Sequence, residues 1–136
     1  MCGSVLIIED DGDLREGLRD WLVSEGLVVA CGSNGQDALQ ILGEGLRPSA
    51  ILLDLQMPKM DGAEFRRRQL CDPVIAEIPV VAFTGDPTRA STMRALGVDT
   101  VLGKPVGPRK ILDALERAQR RTFRSAIRSS ASPPSA

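Results

Sequence analysis

The chain contains no histidine and no tyrosine, and only one tryptophan and three phenylalanines in 136 residues. The missing histidine excludes Ser-His-Asp and Cys-His mechanisms, a histidine-ligated metal and a phosphohistidine carried on this chain. The three cysteines, Cys2, Cys31 and Cys71, are odd in number and form no C-x-x-C pair. They read as reduced thiols, not as a disulfide framework or a zinc site. No apolar run approaches the roughly 18 residues that span a bilayer. Met1 leads straight into a strand-like segment, without the charged and apolar regions of a signal peptide, so a cytoplasmic location is expected. The formal net charge of −1 creates no overall field for nucleic acid or an anionic membrane. Basic residues do gather over 117–128, but with no interleaved aromatic beyond Phe123. Direct nucleic-acid binding is not expected from them. Any chemistry must therefore run on carboxylates, hydroxyls and lysine.

What is present suits a soluble domain: 43% hydrophobic and 26% charged residues, close to the globular average. A chain of this length buries about two-thirds of its unfolded surface in one domain. Two apolar periods alternate along it. Short aliphatic runs at 5–8, 27–29, 50–53, 79–83 and 100–102 suit strands buried on both faces of a parallel sheet. Between them, helical spacing relates Leu14, Leu18, Trp21 and Leu22, then Ala38, Leu39, Leu42 and Leu46, and finally Ile111, Leu112, Leu115 and Ala118. Asp86-Pro87 reads as an N-cap with a first-turn proline, and Pro108 opens the last helix in the same way. Gly26, Gly43 or Gly45, and Gly97 stand where helices should end. Five strands alternating with five helices favour an open, doubly wound α/β sheet. The domain is expected over 4–120, followed by a tail over 121–136 that is basic and then Ser/Ala/Pro-rich, and disordered by composition. Met57 and Met60 read as loop packing.

In an open α/β sheet the crevice lies beyond the carboxyl ends of the strands. There the first strand is followed by Glu9-Asp10-Asp11, the third ends in Asp54, the fourth in Thr84-Gly85-Asp86, and the fifth precedes Lys104-Pro105. Clustered carboxylates repel one another, and burial raises their pKa values. A hard divalent cation resolves the conflict. Mg2+ takes about six oxygens, for which Glu9, Asp10, Asp54 and the main-chain carbonyl of Gln56 are the candidate ligands. One carboxylate is then placed to attack phosphorus, with Lys104 neutralising the equatorial oxygens and Thr84 hydrogen-bonding the phosphoryl group. Taken singly, each feature has an ordinary structural reading. Asp11 would cap the first helix, Thr84 would be a turn hydroxyl, and Lys104-Pro105 a loop. Their weight comes from occurring together.

The run Asp54-Leu55-Gln56-Met57-Pro58-Lys59-Met60-Asp61-Gly62, with Leu6-Ile7-Ile8-Glu9-Asp10-Asp11, Thr84 and Lys104-Pro105, resembles the response-regulator receiver domain of two-component phosphorelay signalling. The likeness extends over about residues 4 to 120. It implies a flavodoxin-like, five-stranded parallel sheet of order 2-1-3-4-5 with five flanking helices. It further implies Asp54 as phospho-acceptor, Asp10 as direct metal ligand and Glu9 acting through water. Gln56 would contribute its carbonyl, Lys104 would pair with phosphate, and Thr84 would move toward it. A typically cis proline follows the lysine. Asp86 and Gln56 occupy the positions that tune self-dephosphorylation. The implied donor is a histidine kinase or histidine phosphotransferase, and the implied product is a switched protein-interaction surface on a monomer or weak homodimer. Such a module assists its own phosphotransfer and is not a turnover enzyme.

One position departs from the pattern. Val101 stands where many members carry Tyr or Phe, three residues before the lysine, which places the usual threonine–aromatic relay in question but not the phosphoryl chemistry. Two other readings compete: a receiver-like scaffold that works without phosphorylation, and a Mg2+-dependent aspartyl-phosphate phosphatase. The second would place another acid two residues after the nucleophile, where this chain has Gln56.

Overall fold

The computed structural model describes residues 3–57, 60–98 and 100–131, with side chains through Arg121. Its elements alternate in chain order: β1 (Ser4–Ile8), α1 (Gly12–Ser24), β2 (Val28–Gly32), α2 (Gly35–Gly43), β3 (Ala50–Asp54), α3 (Gly62–Leu70), β4 (Val80–Thr84), α4 (Arg89–Ala95), β5 (Thr100–Gly103) and α5 (Pro108–Ala131). The five strands are all parallel, in the order β2-β1-β3-β4-β5, which is the doubly wound arrangement expected.

Alternation along the strands divides the core into two layers, because successive side chains point to opposite faces. On one face Leu6, Ile8, Ile51, Leu53 and Ala82 pack with Ala38 and Leu42 of α2, Phe65 of α3 and Met93 of α4. On the other, Val5, Ile7, Leu52, Val81 and Phe83 meet Leu18 and Leu22 of α1 and Leu112 and Leu115 of α5. Each such Val, Leu, Ile, Phe or Met side chain contributes about 1.5–3 kcal/mol when fully buried. Only the three central strands are covered on both faces. The edge strand β2 leaves Val28 71% exposed, and β5 is half-buried along most of its length, so continuous burial of all five runs does not hold.

Local chemistry explains most element boundaries. Asp11 caps α1 by accepting from the N–H groups of Asp13 and Leu14, and Gly26 ends it with φ +93°. Leu14 falls outside the buried stripe and is 39% exposed, so the buried face of α1 is Leu18 and Leu22, with Trp21 half-buried beside them. Helix α4 begins at Arg89, later than the Asp86-Pro87 pair indicated. The Asp86 carboxylate instead accepts from the N–H and hydroxyl of Thr88, at 3.0 and 2.6 Å, closing a turn that precedes the helix. Helix α5 opens at Pro108 as expected, but it continues to Ala131. Residues 121–131 of the expected tail are therefore helical. The rest of that tail, residues 132–136, lies outside the described residues, as do Cys2, Pro58 and Lys59. Cys31 and Cys71 are free thiols.

Candidate functional site

Parallel register assembles the polar residues. Ile8 of β1 lies beside Leu53 of β3, so Glu9 and Asp54 emerge as neighbours from the two central strands. Asp54 pairs in turn with Phe83, and Thr84 with Gly103. The Lys104 N–H then donates to the Thr84 carbonyl at 2.8 Å. Four strand ends thus meet at one edge, set on the apolar sheet.

The side chains form a compact ionic cluster. Asp54 and Glu9 are each 1% exposed, while Asp10 is exposed beside them. Each of the three offers a carboxylate oxygen within 4.8 Å of the others. Lys104 Nζ stands 3.4 Å from Asp54 Oδ1 and 3.9 Å from Glu9 Oε2, with the Phe83 ring centroid 5.0 Å away. Asp54 Oδ1 also accepts from the Gln56 N–H at 3.1 Å, and Glu9 Oε1 from the Asp11 N–H at 3.1 Å. Glu9 Oε2 is buried without a hydrogen-bond partner. Burial is the main reason the Glu9 carboxyl is pushed up to about 8; the Asp54 charge adds to this, while the Asp11 N–H and Lys104 oppose it. Two buried carboxylates and a third at the rim, one with an unused oxygen and a raised pKa, are the donor set a hard divalent cation stabilises. The residues present fit Mg2+.

The surrounding loops touch this cluster on two sides. The buried Thr84 hydroxyl accepts from the Asp86 N–H at 3.0 Å and donates to the Asp86 carbonyl at 3.4 Å, so it is turned onto the β4–α4 turn. Gln56 is exposed, and its Oε1 accepts from the Gly85 N–H at 3.3 Å. The Lys104–Pro105 peptide is cis. Asp11 acts as the helix cap described above and is not part of the three-carboxylate group.

The family model described as the response regulator receiver domain matches residues 5–116. The chain belongs to the response regulator receiver family. Receivers of this kind are modules of two-component signalling, not classical enzymes. Among solved structures, a receiver domain of a signal transduction histidine kinase from Syntrophus aciditrophicus shares 29% identity, with a TM-score of 0.78 over 87% of this chain and 90% of that one. The chemotaxis protein CheY4 of Vibrio cholerae shares 26%, with a TM-score of 0.79 over 87% and 99%. An uncharacterised 14.6 kDa protein of Leptolyngbya boryana is 32% identical over 83% of this chain and 87% of its own length. The response regulator MprA of Mycolicibacterium vanbaalenii is 31% identical over 87% of this chain. The transcriptional regulatory protein GltR of Pseudomonas aeruginosa is 32% identical over 92% of it. The receiver described here spans about half the length of the latter two relatives, 51% and 52%.

Every residue singled out for the receiver site lies at this sheet edge, with Glu9, Asp10, Asp54 and Lys104 in one cluster and Thr84 and Gln56 bonded to the adjoining loop. Three further residues support it. Arg15 Nη1 donates to the Glu9 carbonyl at 2.8 Å, holding the acidic turn. Gly62 packs so closely beneath the strand end that a Cβ there would lie 2.9 Å from the Leu55 Cα and 3.3 Å from the Asp54 carbonyl oxygen. Arg89 donates to the Leu55 carbonyl at 3.2 Å. Gly62 stood in the acceptor run without an assigned role, whereas neither arginine carries a local sequence signal. Val101 packs half-buried against the first core layer as an ordinary aliphatic.

Proposed function

We propose that this receiver accepts a phosphoryl group on Asp54 from a histidine kinase or histidine phosphotransferase in a Mg2+-dependent reaction. The observation that carries the proposal is the buried Asp54 carboxylate, 3.4 Å from Lys104 Nζ inside a group of three acids. Glu9, Asp10, Asp54 and the Gln56 carbonyl would hold the ion, which when bound supplies charge neutralisation at the phosphoryl oxygens. Asp54 attacks phosphorus, forming an acyl-phosphate P–O bond as the P–N bond to the donor imidazole breaks and its electron pair returns to the ring nitrogen. Lys104 balances charge on the transferred group, and Asp54 is regenerated when water releases inorganic phosphate. Thr84 leaves the Asp86 backbone to donate to a phosphoryl oxygen, which shifts the equilibrium of an interaction surface. Gln56 and Asp86 flank the acceptor and set the lifetime of the phosphoryl group.

The donor histidine lies outside these 136 residues, which contain none. Among the described residues no helix is long and apolar enough to cross a membrane, and a cytoplasmic module is the reading we favour. Intact mass after incubation with Mg2+ and a small phosphoryl donor tests the chemistry: one metal-dependent phosphoryl adduct on wild type, absent from Asp54→Asn. No adduct on folded protein would favour a phosphorylation-independent scaffold, with which the aliphatic Val101 is compatible.

A further inference from the structure

Arg89, the first residue of α4, places its guanidinium where the acceptor loop meets the switch turn. Its Nη1 donates to the Leu55 carbonyl at 3.2 Å and lies 4.0 Å from Asp61 Oδ2. Its Nε lies 3.7 Å from Asp86 Oδ2 and, though buried, has no hydrogen-bond partner. Leu55 follows the acceptor Asp54, Asp61 caps α3, and Asp86 closes onto the Thr84 hydroxyl. One side chain therefore spans the β3–α3 and β4–α4 loops beside the acidic cluster.

The packing around α4 differs between its two ends. A cavity of about 240 Å3 beside the first turns of α4 is lined by Leu55, Asp61, Ala63, Arg67, Arg89, Thr92 and Met93. The N-terminal side of α4 has no side-chain cap at Thr88. The C-terminal side is held differently: the buried Arg66 donates through Nε to the Leu96 carbonyl at 3.0 Å and through Nη1 to the buried Gln69 Oε1 at 2.9 Å. The helix is pinned by a buried network at one end and at the other by a partly exposed guanidinium with one unsatisfied N–H.

We propose that Arg89 is the positioning residue that couples the state of Asp54 to the position of α4. This rests on the reading of Asp54 as phospho-acceptor. When the Thr84 hydroxyl leaves the Asp86 N–H, the β4–α4 turn is released. Arg89 then carries the change from the Leu55 carbonyl and the two carboxylates to the first turn of α4, which moves over the adjoining cavity while Arg66 holds the far end. No aromatic side chain is required for this route, which suits a chain with Val101 in the fifth strand.

The test is amide hydrogen exchange on the full chain, before and after loading with acetyl phosphate and Mg2+, with intact mass reporting loading in each sample. In wild type, loading is expected to change exchange in peptides over 88–96 at least threefold. Arg89→Gln should lose most of that change per loaded molecule, whatever its extent of loading by intact mass. Asp61→Asn keeps a capping side chain and removes only a charge facing Arg89, so it should weaken the response while leaving the urea midpoint near wild type. It serves also if Arg89→Gln folds poorly. Equal α4 responses in loaded wild type and both variants would overturn the proposal, as would loaded wild type with an unchanged α4. Absence of any adduct on wild type would show instead that the acceptor reading has failed, and the coupling with it.

Discussion

Glu9 is the residue whose environment contrasts most with its chemistry: an acid 1% exposed, next to another buried acid. Its carboxyl is pushed from 4.5 up to about 8, so between those values the folded chain holds a proton that the unfolded chain has lost. Stability from this group is complete below about 4.5 and falls as pH rises toward 8. In EDTA, the urea midpoint of wild type should decline across that window, and Glu9→Gln should flatten the decline. A slope that is identical in the variant would assign the effect to other groups. Gly62 makes a different prediction at the same scale. A Cβ there meets Leu55 Cδ2 at 2.5 Å and backbone at 2.9 Å, whereas at Gly35 it meets chiefly the flexible Met60 side chain, with Sδ at 2.8 Å. Gly62→Ala should cost about 1–3 kcal/mol by overpacking and disturb the Asp54 strand end, while Gly35→Ala should cost less. Urea titration of the two variants ranks them directly.

At the scale of elements, α3 is tied to its surroundings by Gln69, which is fully buried and donates from Nε2 to the Ile75 and Ile78 carbonyls at 2.9 and 3.0 Å. These bonds fold the 72–79 connection back onto the helix and so fix where β4 enters the sheet. Gln69→Leu strands both carbonyls, and losing the two should cost about 2–4 kcal/mol. Arg68→Ala removes only an exposed pair with Glu64 and should change stability by less than about 0.5 kcal/mol. Comparable losses in the two variants would refute the buried network as the reason. Periodicity located α2 and α5 well because their faces are buried by helical spacing. The reading of Asp86-Pro87 as a cap placed the start of α4 too early, because the Asp86 carboxylate closes a local turn with Thr88 instead. Competition between local caps of this kind is decided by geometry that a linear pattern does not contain.

At the scale of the whole molecule, the domain boundary can be tested. The family match ends at residue 116, yet Ala118 packs against the second core layer. A chain ending at Arg121 should therefore be more stable than one ending at Glu116, by on the order of 1 kcal/mol for the apolar surface regained. Equal thermal midpoints would place the structural boundary at the earlier residue.

The sequence by itself determined the architecture and the membership of the site. Alternating apolar periods specify a parallel α/β sheet, and in such a sheet every strand end faces the same edge. Glu9, Asp10, Asp54, Thr84 and Lys104 were legible for that reason. Tertiary structure alone decided where the Thr84 hydroxyl points and that Glu9 and Asp54 are almost fully buried while Asp10 stays at the rim. It also decided that Arg15, Gly62 and Arg89 support the site. Arg89 shows the longest reach of these supports, acting on Leu55 across 34 positions of chain. Burial and hydrogen-bond partners exist only once the sheet has brought those residues together.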